Sequence, residues 1–373
     1  MPTSTNTITF YPLGNADCCL IKLHTGALIA FDYADMNNPD DSEDKRMPLQ
    51  RNFREDIGFP DRKHVDVLAI THGDDDHVRG ISDTFWLDHA KKYQGDDRIK
   101  INEMWVPAAL IVEEGSEDHT RIIRAEARHR FLNKKGIRVY SRPEHLKEWL
   151  EGQGKNLDDY RHLITDAGQL VPDWTKENNA IEFFVHSPFA QHVDDGLLDR
   201  NSNCLVMQAT IRVDGRDTRF LITADSISEN WQRMVNITRY HKNDGRLAWD
   251  LFKIPHHCSY LSMAEEKGKE KTEPTPEFKW LLEQGTERSV MVSSSWEIPT
   301  LDTDDNQPPH RQTYNRYKET ANDLDADLIV TMENPKLRPK RTVVTIDGNG
   351  LTLSKQAVSA TVAITSAHAP RVG

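Results

Sequence analysis

The stretch THGDDDHVRG, residues 71–80, carries four candidate metal ligands within six residues. It continues the apolar run VDVLAIT (residues 65–71), which predicts a buried strand. A loop leaving a strand end can fold its side chains back onto one point, and histidine nitrogens with carboxylate oxygens suit divalent transition metals. A solvated acidic turn would account for one acid and one histidine, but four candidates behind an apolar strand favour a metal site. The four are His72, Asp74, Asp76 and His77.

Two later stretches repeat this arrangement of an apolar strand followed by ligand side chains. FLITAD (residues 220–225) ends in Asp225, and LFKIPHHCS (residues 251–259) contains His256 and His257. Taken singly, Asp225 is explained as a cap of the following helix and the histidine pair as structural. Taken together, three strand ends present histidine and aspartate, which is what a two-metal site requires.

Strands and helices interleave along the chain, which indicates an α/β or α+β class with layered sheets. Helical periodicity predicts helices over residues 84–93 and 121–135. Asp214 and Gly215 predict a hairpin turn between two of the strands. The predicted strands cover residues 7–11, 19–23, 27–32, 65–71, 104–106, 138–140, 181–186, 204–213, 219–223, 248–254, 289–293, 328–331, 342–347 and 351–354.

The composition restricts the class of protein. The chain has 373 residues, and 47 Lys and Arg against 59 Asp and Glu give a formal net charge of −12. This acidity argues against a broad basic surface that coats nucleic acid, but it permits a narrow site where bound metal supplies positive charge. No apolar stretch reaches membrane-spanning length, and four cysteines without a CxxC pair exclude a disulfide scaffold. We therefore expect a cytoplasmic protein without membrane contact, and a homo-oligomer is left open.

The motifs resemble one known family. THGDDDH is similar to the HxHxDH signature of metallo-β-lactamase-fold hydrolases, with Asp74 in place of the second histidine. This variant resembles the hydrolase domain of the competence protein ComEC and its stand-alone relatives. Five further stretches resemble that group in the same order: ITFYPLGNADCCLI, ALIAFDYAD, NSNCLVMQATI with FLITADS, LFKIPHHCSYLS and QPPHRQTYNRY. Ala16, Ala224 and Cys258 stand where the group has glycine.

The resemblance implies an α+β fold, the αββα sandwich of two packed mixed sheets flanked by helices. It implies one hydrolase domain over residues 1–355, with a variable helical insert within residues 82–200. The remaining residues, 356–373, form a C-terminal tail rich in small residues.

The resemblance also distributes the ligands between two divalent ions, Zn²⁺ or Mn²⁺. His72 and Asp74 would bind metal one, and Asp225 would bridge both ions. Metal two would be held by Asp76, His77 and His257.

Five further residues are expected near these ions. His186 is the candidate for the third ligand of metal one, with a polar strand-end role as the alternative. His256 is expected to orient the site or to substitute for a ligand, and Asn203 to contact substrate or a ligand. Asp32, like Asp17, is expected to hold the ligand loops rather than to bind metal.

A two-metal centre activates water as a nucleophile. Three ligand carboxylates against two dications leave one net positive charge, which favours an anionic phosphodiester such as DNA or a nucleotide. Asp74 in place of histidine shifts the preference toward manganese. Asp76 and His310 are the candidate catalytic groups. Arg79 and Lys253 are candidate phosphate contacts.

The primary hypothesis is therefore a metal-dependent phosphodiesterase or nuclease. The alternatives are a lactone or thioester hydrolase of the same fold, and a non-catalytic metal-binding regulator or defence-system component.

Overall fold

Two mixed β-sheets form the centre of the molecule in the computed structural model, which describes residues 5–115, 118–141, 143–189, 201, 203–301 and 307–354. The strands of this part of the chain are β1 (Asn6–Phe10), β2 (Cys19–Lys22), β3 (Leu28–Phe31), β4 (His64–Ala69), β5 (Lys100–Pro107), β6 (Ile137–Tyr140), β7 (Ile181–Ser187), β8 (Val206–Val213), β9 (Arg216–Ile222), β10 (Trp249–Lys253), β11 (Gly285–Ser293), β12 (Asp327–Val330), β13 (Thr342–Asp347) and β14 (Gly350–Leu353). The first sheet has the order β14-β13-β1-β2-β3-β4-β5-β6, and the second β12-β11-β10-β9-β8-β7.

Each sheet is antiparallel on one side and parallel on the other. In the first sheet β3, β4, β5 and β6 run parallel, with Ile29 of β3 opposite Val67 of β4. In the second sheet β9, β10, β11 and β12 run parallel. Parallel neighbours bring their carboxyl ends to one edge, so the residues after β4, β9 and β10 become available for a common site.

Side-chain alternation along the strands separates two apolar layers in the first sheet. Ile29 and Val67 face the second sheet, where the central core includes Phe220. Phe10 meets Phe220 edge-on, with ring centroids 5.8 Å apart. Leu68 points to the opposite face and packs against helices. Strands that are buried on both faces are apolar almost throughout, as residues 65–71 predicted.

Helices cover the outer faces of both sheets. Helices α1, α4, α5 and α6 pack on the first sheet, and α8, α9 and α10 on the second. The fold is thus a four-layer αββα sandwich, which confirms the predicted fold class. The helices of the described chain are α1 (Leu49–Ile57), α2 (Asp75–Val78), α3 (Ile81–Thr84), α4 (Ala108–Val112), α5 (Asp118–Leu132), α6 (Glu144–Gly152), α7 (Lys176–Asn179), α8 (Ser228–Tyr240), α9 (Pro276–Leu282) and α10 (Arg311–Asp323).

Local sequence signals explain where some helices begin. Helix α9 starts with Pro276 in its first turn, and the Thr275 hydroxyl accepts a hydrogen bond from the Phe278 N–H at 3.3 Å. Helix α8 starts at Ser228 after Ile227, so Asp225 is not its cap. No helix within the described residues is long and apolar enough to cross a membrane.

Residues 82–200, expected to carry a helical insert, contain helices α4 to α7 and also β5, β6 and β7. As far as residue 189, this segment therefore contributes strands to both sheets. The C-terminal tail, 356–373, lies outside the described residues.

The predicted helix over residues 84–93 is wrong. Phe85 instead pairs with Ile99 in a short β-bridge, and Lys91–Tyr93 forms one 3-10 turn. The N–H groups of Asp88 and His89 donate to the carboxylate of Glu126 at 3.0 and 2.9 Å. A partner from another element thus replaces the carbonyls that a helix would have used.

Glu126 is buried within α5 and ties that helix to the segment before it. Its carboxylate also accepts hydrogen bonds from Arg130 Nε at 2.6 Å and His89 Nδ1 at 2.9 Å. Burial alone would raise the pKa of Glu126, but these bonds outweigh it and lower the pKa to about 2. Because the pKa is depressed on folding, Glu126 contributes stability above the ordinary value of 4.5. That contribution is lost as the pH falls toward about 2.

We predict that Glu126→Gln lowers the free energy of unfolding by about 3 kcal/mol at pH 7, because it removes the nearer, buried counter-charge of Arg130 and leaves only the half-exposed Asp88, 3.5 Å away. Urea denaturation at pH 7 and pH 3 measures the change, and the difference from wild type should shrink at pH 3. Glu229→Gln, in an exposed pair with Arg233 on α8, is the control and should cost less than about 0.5 kcal/mol. A difference that does not depend on pH would contradict the assignment to Glu126 ionisation.

Candidate metal centre

Four buried side chains from three strand ends and one turn converge at the parallel edge of the sandwich. One ligand atom from each of them lies within 4.8 Å of the others. His77 Nε2 is 3.4 Å from Asp225 Oδ1, and His257 Nε2 is 3.4 Å from Asp225 Oδ2. Asp225 thus stands between two histidines that were both predicted for metal two, and its bridging of the two ions stays a prediction. The four residues are Asp17, His77, Asp225 and His257.

Hydrogen bonds fix which nitrogen of each histidine faces this centre. His77 Nδ1 donates to Asp32 Oδ2 at 2.8 Å, and His257 Nδ1 donates to the carbonyl oxygen of Ser294 at 2.7 Å. Both acceptors lack a proton, so the histidine must supply it, which leaves Nε2 with a lone pair for a metal ion.

The same arrangement holds for His72. The hydroxyl of Thr71 donates to Asp32 Oδ2 at 2.7 Å, so it accepts from His72 Nδ1 at 3.1 Å. Asp32 therefore orients both histidines of the ligand loop. This is the loop-holding role that the sequence indicated for it.

His72 and Asp74 form a second, more open group beside the first. His72 Nε2 is 3.5 Å from Asp74 Oδ2, and the Asp74 side chain is 34% exposed. The rings of His72 and His77 have centroids 3.9 Å apart, so the two groups are adjacent. Asp76 lies at the mouth, with Oδ2 3.1 Å from His257 Nε2. All six predicted metal ligands thus lie in one region.

The electrostatics of the four-residue cluster suit a cation. Burial by itself lowers the pKa of His257, but Asp225 and Asp76 outweigh it and raise the pKa to about 10. Burial likewise acts against the raised pKa of His77, and Asp225 again prevails. The carboxylates that hold protons on these histidines would hold a metal ion in their place.

Buried ligand atoms without hydrogen-bond partners also indicate that the cluster suits a metal ion. His72 Nε2, His77 Nε2 and Asp225 Oδ1 are each buried and have no hydrogen-bond partner among the described residues. Leaving such atoms unsatisfied costs free energy, which a coordinated ion would recover. The donor set of imidazole and carboxylate fits a divalent metal ion.

The backbone under the ligands is left-handed at two of the three positions where the resembled group has glycine, 224 and 258, and also at the two histidines before Cys258. Ala224 has φ 49°, and His256, His257 and Cys258 have φ 48°, 50° and 68°. Each such non-glycine residue costs about 1–2 kcal/mol. The turn brings the His256 N–H onto the carbonyl oxygen of Ala224 at 3.1 Å. This hydrogen bond joins the loops after β9 and β10. The loops therefore keep their conformation although Ala224 and Cys258 stand in place of glycine.

Two predicted roles are contradicted. His186 Nε2 donates to the carbonyl oxygen of Arg246 at 2.8 Å, so that nitrogen is unavailable as a ligand of metal one. Burial lowers the pKa of His186 to about 4, so it stays neutral. Lys253 is 4% exposed and lies 2.7 Å from Asp17 Oδ2, so it does not face substrate.

The remaining predicted residues surround the centre. Asn203 lies two residues before Leu205, whose N–H donates to the carbonyl oxygen of Thr71 at 2.8 Å, beside His72. His256 Nε2 is 3.9 Å from Asp225 Oδ2. Arg79 is bound to Asp75 through Nε at 2.8 Å, with its side chain 45% exposed.

His310 lies against the turn that carries His257. Its N–H donates to the carbonyl oxygen of Cys258 at 3.1 Å. Its Nδ1 accepts the N–H of Tyr260 at 3.4 Å, which places the ring proton on Nε2.

Sequence reasoning missed two contributions. Ser294 orients His257 through a backbone oxygen, which no side-chain pattern reveals. Asp17 was expected only to hold a loop, and its N–H does donate to the carbonyl oxygen of Asp76 at 2.9 Å. Its carboxylate nevertheless belongs to the buried cluster. The signal was its place in the stretch ITFYPLGNADCCLI.

No protein-family model matches the chain, and no curated protein sequence does. Among solved structures, the chain is similar to a diphosphatase from the PhnP family, with 11% identity, 92% of this chain and 98% of that chain covered, and a TM-score of 0.34. It is similar to unliganded yeast PDE1, with 9% identity, 88% and 97% coverage and a TM-score of 0.40. It is also similar to a class B3 di-zinc metallo-beta-lactamase from an Alaskan soil metagenome, with 13% identity, 74% and 89% coverage and a TM-score of 0.30.

We predict that Asp32→Asn weakens divalent metal binding by about 10–100-fold, because the amide no longer specifies the proton on His77 Nδ1. Titration calorimetry with Mn²⁺ or Zn²⁺ on chelator-treated protein measures the affinity. Asp66→Asn is the matched control, since Asp66 likewise accepts a backbone N–H, from Leu28 at 2.8 Å. Equal losses in the two variants would show that Asp32 acts only on the fold.

Proposed function

We propose that the chain is a two-metal hydrolase that cleaves phosphodiester bonds with an activated water molecule. The observation that carries the proposal is the buried cluster of four ligand atoms within 4.8 Å of one another. The fixed orientation of His72, His77 and His257 supports it, because each presents Nε2 to a common region.

Two bound divalent ions, Zn²⁺ or Mn²⁺, would supply a hydroxide nucleophile at neutral pH and polarise the bond to be broken. Asp74, Asp76 and Asp225 would leave such a centre with one net positive charge. The neighbouring pair of Asp17 and Lys253 adds none, because its two charges cancel. A positive centre in a chain of net charge −12 favours an anionic substrate gripped locally, such as a nucleotide or a short stretch of DNA.

Asp76 and His310 are assigned the proton transfers. The Asp76 side chain is 30% exposed, so its carboxylate is open to a proton from the attacking water. His310 carries its proton on Nε2 and is held through its other ring nitrogen. It would donate that proton to the leaving oxygen.

The test is a substrate panel with manganese- or zinc-loaded protein: bis-p-nitrophenyl phosphate, single- and double-stranded DNA, RNA and a lactone. We expect phosphodiester cleavage, and an Asp76→Ala, His77→Ala double variant should abolish it because both residues serve metal two. The Asp66→Asn variant, altered in the amino-terminal half of β4, should retain it. Cleavage that survives the double change would refute the mechanism, and turnover of the lactone alone would establish the alternative hydrolase class.

Proton donation by His310 can be tested by comparing substrates with different leaving groups. His310→Gln should lower kcat for a dinucleotide by about 10²–10⁴-fold, because the alkoxide leaving group needs a proton. The loss should be much smaller for bis-p-nitrophenyl phosphate, whose leaving group departs unprotonated. Steady-state kinetics on both substrates gives the comparison. Equal losses on both would assign His310 to binding or folding instead of proton donation.

A further inference from the structure

Asp17 lies deep in the centre, at the turn between β1 and β2. It is 2% exposed, and its Oδ2 is 3.7 Å from His77 Nε2. One of its carboxylate oxygens lies within 4.8 Å of the ligand atoms of His77, Asp225 and His257. Asp76, predicted for metal two, stands nearer the solvent. Besides Asp225, the metal centre thus has an inner carboxylate, Asp17, and an outer one, Asp76.

Lys253 forms an ion pair with the carboxylate of Asp17. Its Nζ is 2.7 Å from Asp17 Oδ2, and both side chains are buried. The carbonyl oxygen of Lys253 accepts the hydroxyl proton of Thr223 at 2.6 Å, which holds β10 beside the end of β9. Lys253 Nζ and His77 Nε2 both approach Asp17 Oδ2. A carboxylate has about four lone-pair sites, so Asp17 can accept the lysine and still offer a lone pair to a metal ion.

We propose that Asp17 is an inner ligand of metal two, positioned by Lys253. This inference rests on the two-metal site of the proposed function. Metal two would then have two nitrogen and three oxygen donors, more than the four ligands typical of a structural or catalytic zinc site. Such an oxygen-rich, higher-coordinate set favours manganese. The full set is Asp17, Asp76, His77, Asp225 and His257.

Lys253 also explains how the centre tolerates a further carboxylate. With Asp17 as a fourth ligand carboxylate, two dications would be neutralised and the attraction for an anionic substrate would vanish. The buried ammonium restores one positive charge. The pair therefore adds an oxygen ligand without making the centre repel phosphate.

The experiment compares Asp17→Asn with the double variant Asp17→Asn, Lys253→Met. The double variant removes both charges of the buried pair, so it avoids the uncompensated lysine that could prevent the single variant from folding. Mn²⁺ is titrated by calorimetry into chelator-treated protein. The visible spectrum of the Co²⁺-substituted protein reports the coordination number, because d–d bands become more intense as that number falls.

We expect the double variant to bind one of its two Mn²⁺ ions at least about 10-fold more weakly than wild type. The Co²⁺ bands should become more intense. Wild-type affinity in the double variant would overturn the proposal, because Asp17 would then only neutralise Lys253. Weakened binding with unchanged Co²⁺ bands would also overturn it, because Asp17 would then act through another ligand.

The matched control removes a buried pair that is not part of the centre, with Glu126→Gln and Arg130→Met on α5, whose charges are 2.6 Å apart. It should lose stability and keep both metal affinities. Because the readout is metal binding, a wild-type protein that binds both ions but cleaves no phosphodiester would refute the proposed function alone.

Discussion

The carboxylate of Asp32 is the contact on which the site depends. It follows β3, with a left-handed φ of 56°, and accepts the N–H and hydroxyl of Thr71 and the Nδ1 proton of His77. The strands β3 and β4 are parallel neighbours, so one side chain can span their ends. This single acceptor sets the shape of the ligand loop and the proton positions on two histidines. The ligands from the second sheet, Asp225 and His257, meet side chains whose orientation Asp32 fixes.

The fold was predictable wherever burial controls the residue pattern. The last three residues of each of β4, β9 and β10 are buried, and all but Lys253 are apolar, so the histidines and aspartates that follow these strands stood out. The six metal-ligand predictions drew on that contrast, and their side chains do converge. Local periodicity failed at residues 84–93, because Glu126, far away in sequence, satisfies backbone groups there. A pattern read along the chain does not contain such a partner.

Contacts between residues that are distant in sequence also explain why the roles predicted for His186 and Asp17 differ from those in the structure. His186 ends an apolar strand, just as the ligand-bearing segments do, but β7 is the edge strand of its sheet and its histidine bonds to Arg246. Asp17 follows a turn that looked structural, and only packing brings it against His257. The sequence also did not show which charged residues are buried. Lys253 was a candidate phosphate contact, but the structure buries it against Asp17. Which strand neighbours which decides these roles, and that order is a property of the whole sandwich.

The ligands reach the centre from both sheets: His72 and His77 follow β4 of the first, whereas Asp225 and His257 follow β9 and β10 of the second. An ion held between them would act as a removable cross-link through the middle of the sandwich, closing long loops of chain much as a disulfide does. Metal supply would then govern how long the folded chain persists as well as how fast it works. A molecule without the metal ion would lose this cross-link between its two sheets.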